Sequence, residues 1–234
     1  LYKLLAFDLD GTLTQHKTPL DEEHRAELDR LACKYKLLMV GAGQCIRIFN
    51  QMTYPIDIIG NYGMQYAEYV SEIKNIRLVL DRQTPCDKEK AEELVTAFRQ
   101  KHGFTRFSGE NVEYHVSGCI TIPILGTTAK QEDKLAFDPN RSKRRTIYQE
   151  VVEAFPDYNV FVGGTSSFDL APKPFDKYYA LNAYCAQNGI AHDEVVYFGD
   201  DYGIGGNDEC IFKSDIRCVP VDDYREFSRI AKEF

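Results

Sequence analysis

Apolar and polar positions follow two rhythms along this chain, and the change between them divides it. The apolar runs Leu4-Leu5-Ala6-Phe7, Leu37 to Val40 and Ile56 to Ile59 read as buried strands of a parallel sheet. Between the first two, Thr18-Pro19-Leu20-Asp21 reads as a helix start, with a hydroxyl cap and Pro in the first turn. That helix is expected to run to about Lys34, burying Leu28 and Leu31. A second helix is expected over Gln44–Met52, with Ile48, Phe49 and Met52 inward. Strand, helix, strand, helix, strand implies a parallel sheet with helices on its faces. Met64 to Val70 and Ile76 to Leu80 then read as strands joined by a short polar turn.

From about Asp81 the organisation shifts. Thr84-Pro85-Cys86-Asp87 repeats the helix-start signal, and Ala91, Leu94, Val95 and Phe98 recur at helical spacing. Strand-like runs at 104–107, 111–116 and 119–125, a helix over Thr146–Phe155 and a strand over Asn159–Val162 suggest an α+β insert. The basic residues Arg141, Lys143, Arg144 and Arg145 read as a solvated face. Near Lys177 the first rhythm returns, with a helix from Tyr178 to Gln187 and a buried strand over Val195–Phe198. The expectation is a doubly wound, Rossmann-like α/β core over residues 1–80 and 172–234, interrupted by an α+β cap over 81–171.

The chemistry gathers at strand ends. Asp8 and Asp10 flank Leu9 directly after the first apolar run, followed by Gly11, where the backbone can turn, and Thr12, which offers a hydroxyl and an amide to an anion. Two acids this close do not both ionise cheaply unless a cation sits with them or one keeps its proton. The pair suits phosphoryl transfer, in which one carboxylate attacks phosphorus, a metal neutralises charge and the other carboxylate handles the proton. Gly41 and Gly43, beside a helix start, read either as a phosphate cradle of backbone amides or as a tight strand–helix turn. Asp200 ends the strand after Phe198. Because a parallel sheet collects its carboxyl ends on one edge, Asp200 can meet Asp8 there, making an oxygen-rich site suited to Mg2+.

Composition narrows the partners. A net charge of −8 over 234 residues argues against nucleic acid, and 44% hydrophobic residues supply a sizeable core. Seven cysteines, an odd number without a C-x-x-C pair, suggest reduced thiols in a cytoplasmic protein. Cys33, Cys119 and Cys210 read as buried filler. No apolar run approaches membrane-spanning length, and the start does not look like a signal peptide.

The stretch Phe7-Asp8-Leu9-Asp10-Gly11-Thr12 resembles the first signature of the haloacid dehalogenase (HAD) superfamily, and that resemblance implies Asp8 as nucleophile and Asp10 as acid/base. Tyr197-Phe198-Gly199-Asp200, Gly205-Gly206-Asn207-Asp208, Gly163-Gly164 with Ser167-Phe168-Asp169, and Asp176-Lys177 are similar to the eukaryotic-type phosphomannomutase branch, whose α+β cap follows the third strand. By this resemblance Lys177 steadies phosphate and nucleophile. Mg2+ is held by Asp200, an Asp8 oxygen and the Asp10 carbonyl, with Asp208 supporting the metal or its waters. Ser167, Asp169 and Asn207 join the substrate-binding set. HAD proteins usually carry a Ser or Thr in the second motif, where this chain has Gly41, Gly43 and Gln44, and the phosphomannomutase branch clamps a second phosphate with arginines. The corresponding stretches here read Lys17, Tyr114-His115, Leu125-Gly126-Thr127 and Lys134. Bidentate Arg is the natural tool for holding a bisphosphate, and a lysine is a weaker point charge. The expectation is therefore a Mg2+-dependent phosphohydrolase of a small sugar-like phosphate ester. The alternatives are a phosphomannomutase- or phosphoglucomutase-type phosphotransferase and a non-catalytic sugar-phosphate-binding module. A homodimer is compatible with the sequence.

Overall fold

The computed structural model describes residues 1–234. In chain order the elements are β1 (Leu4–Phe7), α1 (Glu22–Ala32), β2 (Lys36–Val40), α2 (Cys45–Met52), β3 (Asp57–Gly60), β4 (Gln65–Val70), β5 (Asn75–Asp81), α3 (Lys88–His102), β6 (Glu113–Tyr114), β7 (Ile120–Pro123), α4 (Gln131–Phe137), α5 (Ser142–Ala154), β8 (Tyr158–Gly163), β9 (Ser167–Pro172), α6 (Lys177–Asn188), β10 (Val195–Gly199), α7 (Glu209–Phe212), β11 (Arg217–Pro220) and α8 (Phe227–Ala231). They pack into two compact units. The first comprises Leu1–Arg82, Asp176–Gly203 and Asp208–Phe234, and the second Gln83–Phe175 with Ile204–Asn207.

The first unit holds a seven-stranded sheet in the order β11-β10-β1-β2-β3-β4-β5. Its first five strands are parallel, and β4 and β5 continue the edge as antiparallel neighbours. Alternation along β1 sends Leu5 and Phe7 to one face and Leu4 and Ala6 to the other. The first face packs with Leu28 and Leu31 of α1, Ile48, Phe49 and Met52 of α2, and Phe227 of α8. The second packs with Ala180, Leu181, Tyr184 and Cys185 of α6 and Ile211 of α7. Both faces being covered explains why the parallel strands read as unbroken apolar runs. The first helix begins later than Thr18 suggests: Asp21 is the N-cap, accepting from the His24 N–H at 2.8 Å.

The second unit is a four-stranded antiparallel sheet, β6-β7-β9-β8. One face carries Ile120, Ile122, Phe168 and Leu170 against Ala91, Val95 and Phe98 of α3 and Val151 and Phe155 of α5. Residues 104–107 do not form a strand, and only Glu113–Tyr114 of 111–116 does. The solvated-face reading of the basic stretch fails at Arg144, which is fully buried. Its backbone N–H and Nε both donate to Asp138 Oδ2, and Nη1 donates to the carbonyls of Gly163 and Ser167. All seven cysteines are free thiols, with Cys33 exposed rather than buried. No helix is long and apolar enough to cross a membrane.

Candidate active site

The order of the parallel strands places β2 on one side of β1 and β10 on the other, the point at which an open α/β sheet opens a crevice beyond its carboxyl ends. Asp8 leaves β1 there, its N–H still bonded to the Phe198 carbonyl at 2.9 Å. Asp200 leaves β10 one residue after Gly199. Gly11, with φ of +93°, carries the loop so close to Asp200 that a Cβ would stand 2.4 Å from its Oδ2. Thr12, fully buried, directs its hydroxyl to Asp200 Oδ1 at 3.4 Å.

Lys177 is the first residue of α6, whose N-cap Asp176 accepts from the Tyr179 N–H at 2.7 Å. This cap points Lys177 into the sheet edge, where Nζ reaches Asp8 Oδ1 at 2.6 Å and Asp208 Oδ1 at 2.7 Å. Tyr197 donates its hydroxyl to the same Asp208 oxygen at 2.5 Å, and the Asp201 N–H donates to Asp208 Oδ2 at 3.0 Å. Lys177 and Asp208 are inaccessible to water, and Asp8 nearly so. Ligand oxygens of Asp8, Asp200 and Asp208 lie within 4.8 Å of one another.

The charges do not balance, since three carboxylates face one ammonium. Burial, helped by Asp208 and opposed by Lys177, pushes Asp8 up to about 6. Burial, with Asp8 and Asp208 adding to it, pushes Asp200 up to about 8. Burial also works to lower Lys177, but attraction to Asp208 and Asp8 outweighs it and holds the ammonium charged. Excess negative charge among hard oxygen donors fits a divalent cation such as Mg2+.

Asp10, two residues after Asp8, is held by a separate set of partners. Its Oδ1 accepts from the Lys17 N–H at 2.8 Å and from Gln51 Nε2 at 2.7 Å. Of the two glycines of the second motif, Gly41 does not offer its amide, which bonds the Ile59 carbonyl at 2.9 Å. A Cβ on Gly41 would stand 2.4 Å from Ile48 Cδ1, so a side chain there would have to displace that methyl.

Ser167, Asp169 and Asn207 belong to the second unit. On β9, Phe168 turns into the apolar core. Asp169 Oδ1 accepts from Thr121 Oγ1 at 2.9 Å, and that hydroxyl lies 3.0 Å from His115 Nε2. Burial raises the Asp169 carboxyl above its ordinary value. Sequence reasoning quoted Tyr197 within a motif but gave it no role, and it missed Gln51. Alternation within Val195–Phe198 could have flagged a tyrosine beside the site, whereas Gln51 carried no signal beyond its place on α2.

A doubly wound core with this carboxylate–lysine cluster at the ends of β1 and β10 is the HAD arrangement. Within that class, the chain belongs to the eukaryotic phosphomannomutase family, whose sequence model matches residues 25–224. It is 28% identical over 221 residues to the phosphomannomutase of Saccharomyces cerevisiae, covering 89% of this chain and 84% of that protein. It is 26% identical over 221 residues to phosphomannomutase 1 of Homo sapiens, covering 89% and 82%. Among solved structures it superposes on an IMP-bound, N-terminally truncated Plasmodium falciparum IMP-nucleotidase with a TM-score of 0.68 at 14% identity, covering 99% of this chain and 67% of that one. A HAD/COF-like hydrolase from Plasmodium vivax gives a TM-score of 0.61 at 14% identity, covering 99% and 95%. These structural likenesses concern the fold. The named sequence relatives are mutases, which favours the phosphotransferase alternative over the hydrolase expectation.

Proposed function

We propose that this protein is a Mg2+-dependent phosphotransferase of the phosphomannomutase type, acting on hexose phosphates through a phosphoaspartate at Asp8. The observation that carries the reading is the Asp8 carboxylate gripped by buried Lys177, with Asp200 and Asp208 oxygens within 4.8 Å. Lys177 holds one Asp8 oxygen and leaves the other to face phosphorus, while its charge offsets that building on the phosphoryl oxygens. Asp208 keeps Lys177 in place through its own bond to Nζ and is itself fixed by Tyr197 and the Asp201 amide. Asp10 gives a proton to the departing ester oxygen and takes one back from the hydroxyl that attacks the phosphoaspartate. The Asp8, Asp200 and Asp208 carboxylates and the Asp10 carbonyl would hold Mg2+, which neutralises charge on the transferring group when bound. Ser167, Asp169 and Asn207 are the proposed readers of the sugar.

A second reading, phosphohydrolysis, has its own support. At positions matching the family's clamp arginines, Lys134 Nζ donates to the Thr127 carbonyl at 3.2 Å and His115 lies against Thr121. The buried guanidinium of Arg99 is taken up by the carbonyls of Ile124 and Pro123 and by Asn111. Incubation with mannose 1-phosphate or glucose 1-phosphate plus a hexose bisphosphate activator decides between them. The expected product is the 6-phosphate, whereas inorganic phosphate as the main product assigns the hydrolase. An Asp8→Asn protein that still turns over would sink both.

A further inference from the structure

The carboxylate of Asp10 is gripped from the helix side. Gln51, near the end of α2, donates from Nε2 to Asp10 Oδ1 at 2.7 Å, and the Lys17 N–H donates to that same oxygen at 2.8 Å. The Gln51 amide has one orientation that satisfies its neighbours. Its Nε2 lies 2.9 Å from the Thr18 carbonyl, which only accepts, and 3.2 Å from Thr14 Oγ1. Its Oε1 accepts from Arg47 Nη1 at 3.1 Å, one helical turn earlier. Amide N–H groups are permanent donors, so an oxygen accepting from two of them is not the one that carries a proton. The second Asp10 oxygen, Oδ2, has only looser neighbours: Arg47 Nη1 at 3.7 Å and His16 Nδ1 at 3.9 Å.

We propose that Gln51 is a positioning residue for Asp10: by fixing Oδ1 it reserves Oδ2 as the atom that exchanges the proton, and Arg47 holds Gln51 in the orientation that does so. The inference rests on the phosphoaspartate reading above. In the forward step an Asp8 oxygen forms a bond to phosphorus and the bond from phosphorus to the ester oxygen breaks. That ester oxygen takes the proton from Asp10 Oδ2, leaving a neutral hydroxyl and an Asp10 carboxylate. In the return step a hydroxyl oxygen bonds phosphorus, its proton passes to Oδ2, and the Asp8 carboxylate is restored. Throughout, Gln51 keeps its own protons and touches neither substrate nor phosphorus.

The test compares two esters in the full-length Gln51→Leu and Gln51→Glu proteins. One is glucose 1-phosphate, whose leaving oxygen needs a proton; the other is 2,4-dinitrophenyl phosphate, whose leaving oxygen does not. Single-turnover phosphorylation of Asp8 is followed in each. The expected result is a loss of about 10- to 100-fold on the sugar ester, against a change within about twofold on the dinitrophenyl ester. KM for the sugar ester stays within about threefold. Gln51→Glu preserves the side chain's length while removing the donor, so it carries the test if Gln51→Leu fails to fold. Equal losses on both esters would assign Gln51 a merely structural role, and an undiminished sugar-ester rate would overturn the inference outright. Asp8→Asn is run alongside. If that protein still reacts, the phosphoaspartate reading has failed; if it is inert while the Gln51 variants lose nothing selectively, this inference alone has.

Discussion

A lysine with no exposed surface survives in a folded protein only when its partners are fixed, and Lys177 has two carboxylates within 2.7 Å. Removing it leaves Asp8 and Asp208 facing each other without a cation. Lys177→Met should lower the stability of the metal-free protein by about 3–5 kcal/mol, read from urea unfolding at pH 7. It should also lower turnover at least about 100-fold. A stability change under about 1 kcal/mol would mean that the two carboxylates take up protons at no penalty. The acids of this site were legible in the sequence because Asp8 and Asp200 end apolar strands. Lys177 was visible only through its resemblance, since a lysine opening a helix reads from local pattern as an ordinary surface residue. Tyr197 was hidden among β10 hydrophobes, and the Gln51–Asp10 contact joins residues from β1's loop and α2 that no local pattern connects.

Elements of the second unit are tied by side chains as well as by ladders. Arg144 joins the first turn of α5 to the β8–β9 connection, through Asp138 on one side and the Gly163 and Ser167 carbonyls on the other. Arg144→Met leaves the buried Asp138 carboxylate without its guanidinium. The expected loss is about 3–5 kcal/mol. Adding Asp138→Asn to Arg144→Met should recover part of that loss, and a double-mutant cycle on thermal or urea unfolding measures it. Strict additivity would show that the two side chains act independently. Sequence patterning found α3, β8 and the core of α5, where apolar spacing is regular. It misjudged the basic stretch because charge alone does not tell a solvated arginine from one whose acid lies six residues earlier. It also took 104–107 for a strand, although that segment has no ladder partner.

At the scale of the whole molecule, the raised carboxyls make stability depend on pH and metal. Asp8 and Asp200 lie near 6 and 8 in the folded state, against an ordinary aspartate value of 3.8. As pH rises from about 4 to 8, the unfolded chain releases protons that the folded site retains, so the metal-free protein loses stability across that window. Below about 4 both states are protonated, and above about 8 neither group contributes further. Mg2+ replaces those protons, so its stabilising effect should be larger at pH 8 than at pH 5. At 100-fold excess over its Kd the gain is about 2.7 kcal/mol, or roughly 5–10 °C in Tm for a chain of this size. Calorimetry with Mg2+ and with EDTA at the two pH values checks this. An identical Mg2+ shift in an Asp200→Asn protein would remove Asp200 from the metal site.

The place of β1 in the sheet has a consequence for how the chain is born. Leu4 pairs with Lys36 on one side and with Val195 on the other. Half of the first strand's sheet partners are therefore among the last parts of the chain to be synthesised. At about 5–20 residues per second, a nascent chain waits roughly 8–32 s between the two pairings. During that interval β1 is an open, wholly apolar edge, and such an edge invites pairing with another chain. Asp8, at its end, has no Lys177 to meet until the intervening second unit has been made. The catalytic centre is thus assembled late, by a long-range closure, and a stalled or C-terminally truncated chain would present an aggregation-prone strand in place of a partly active enzyme.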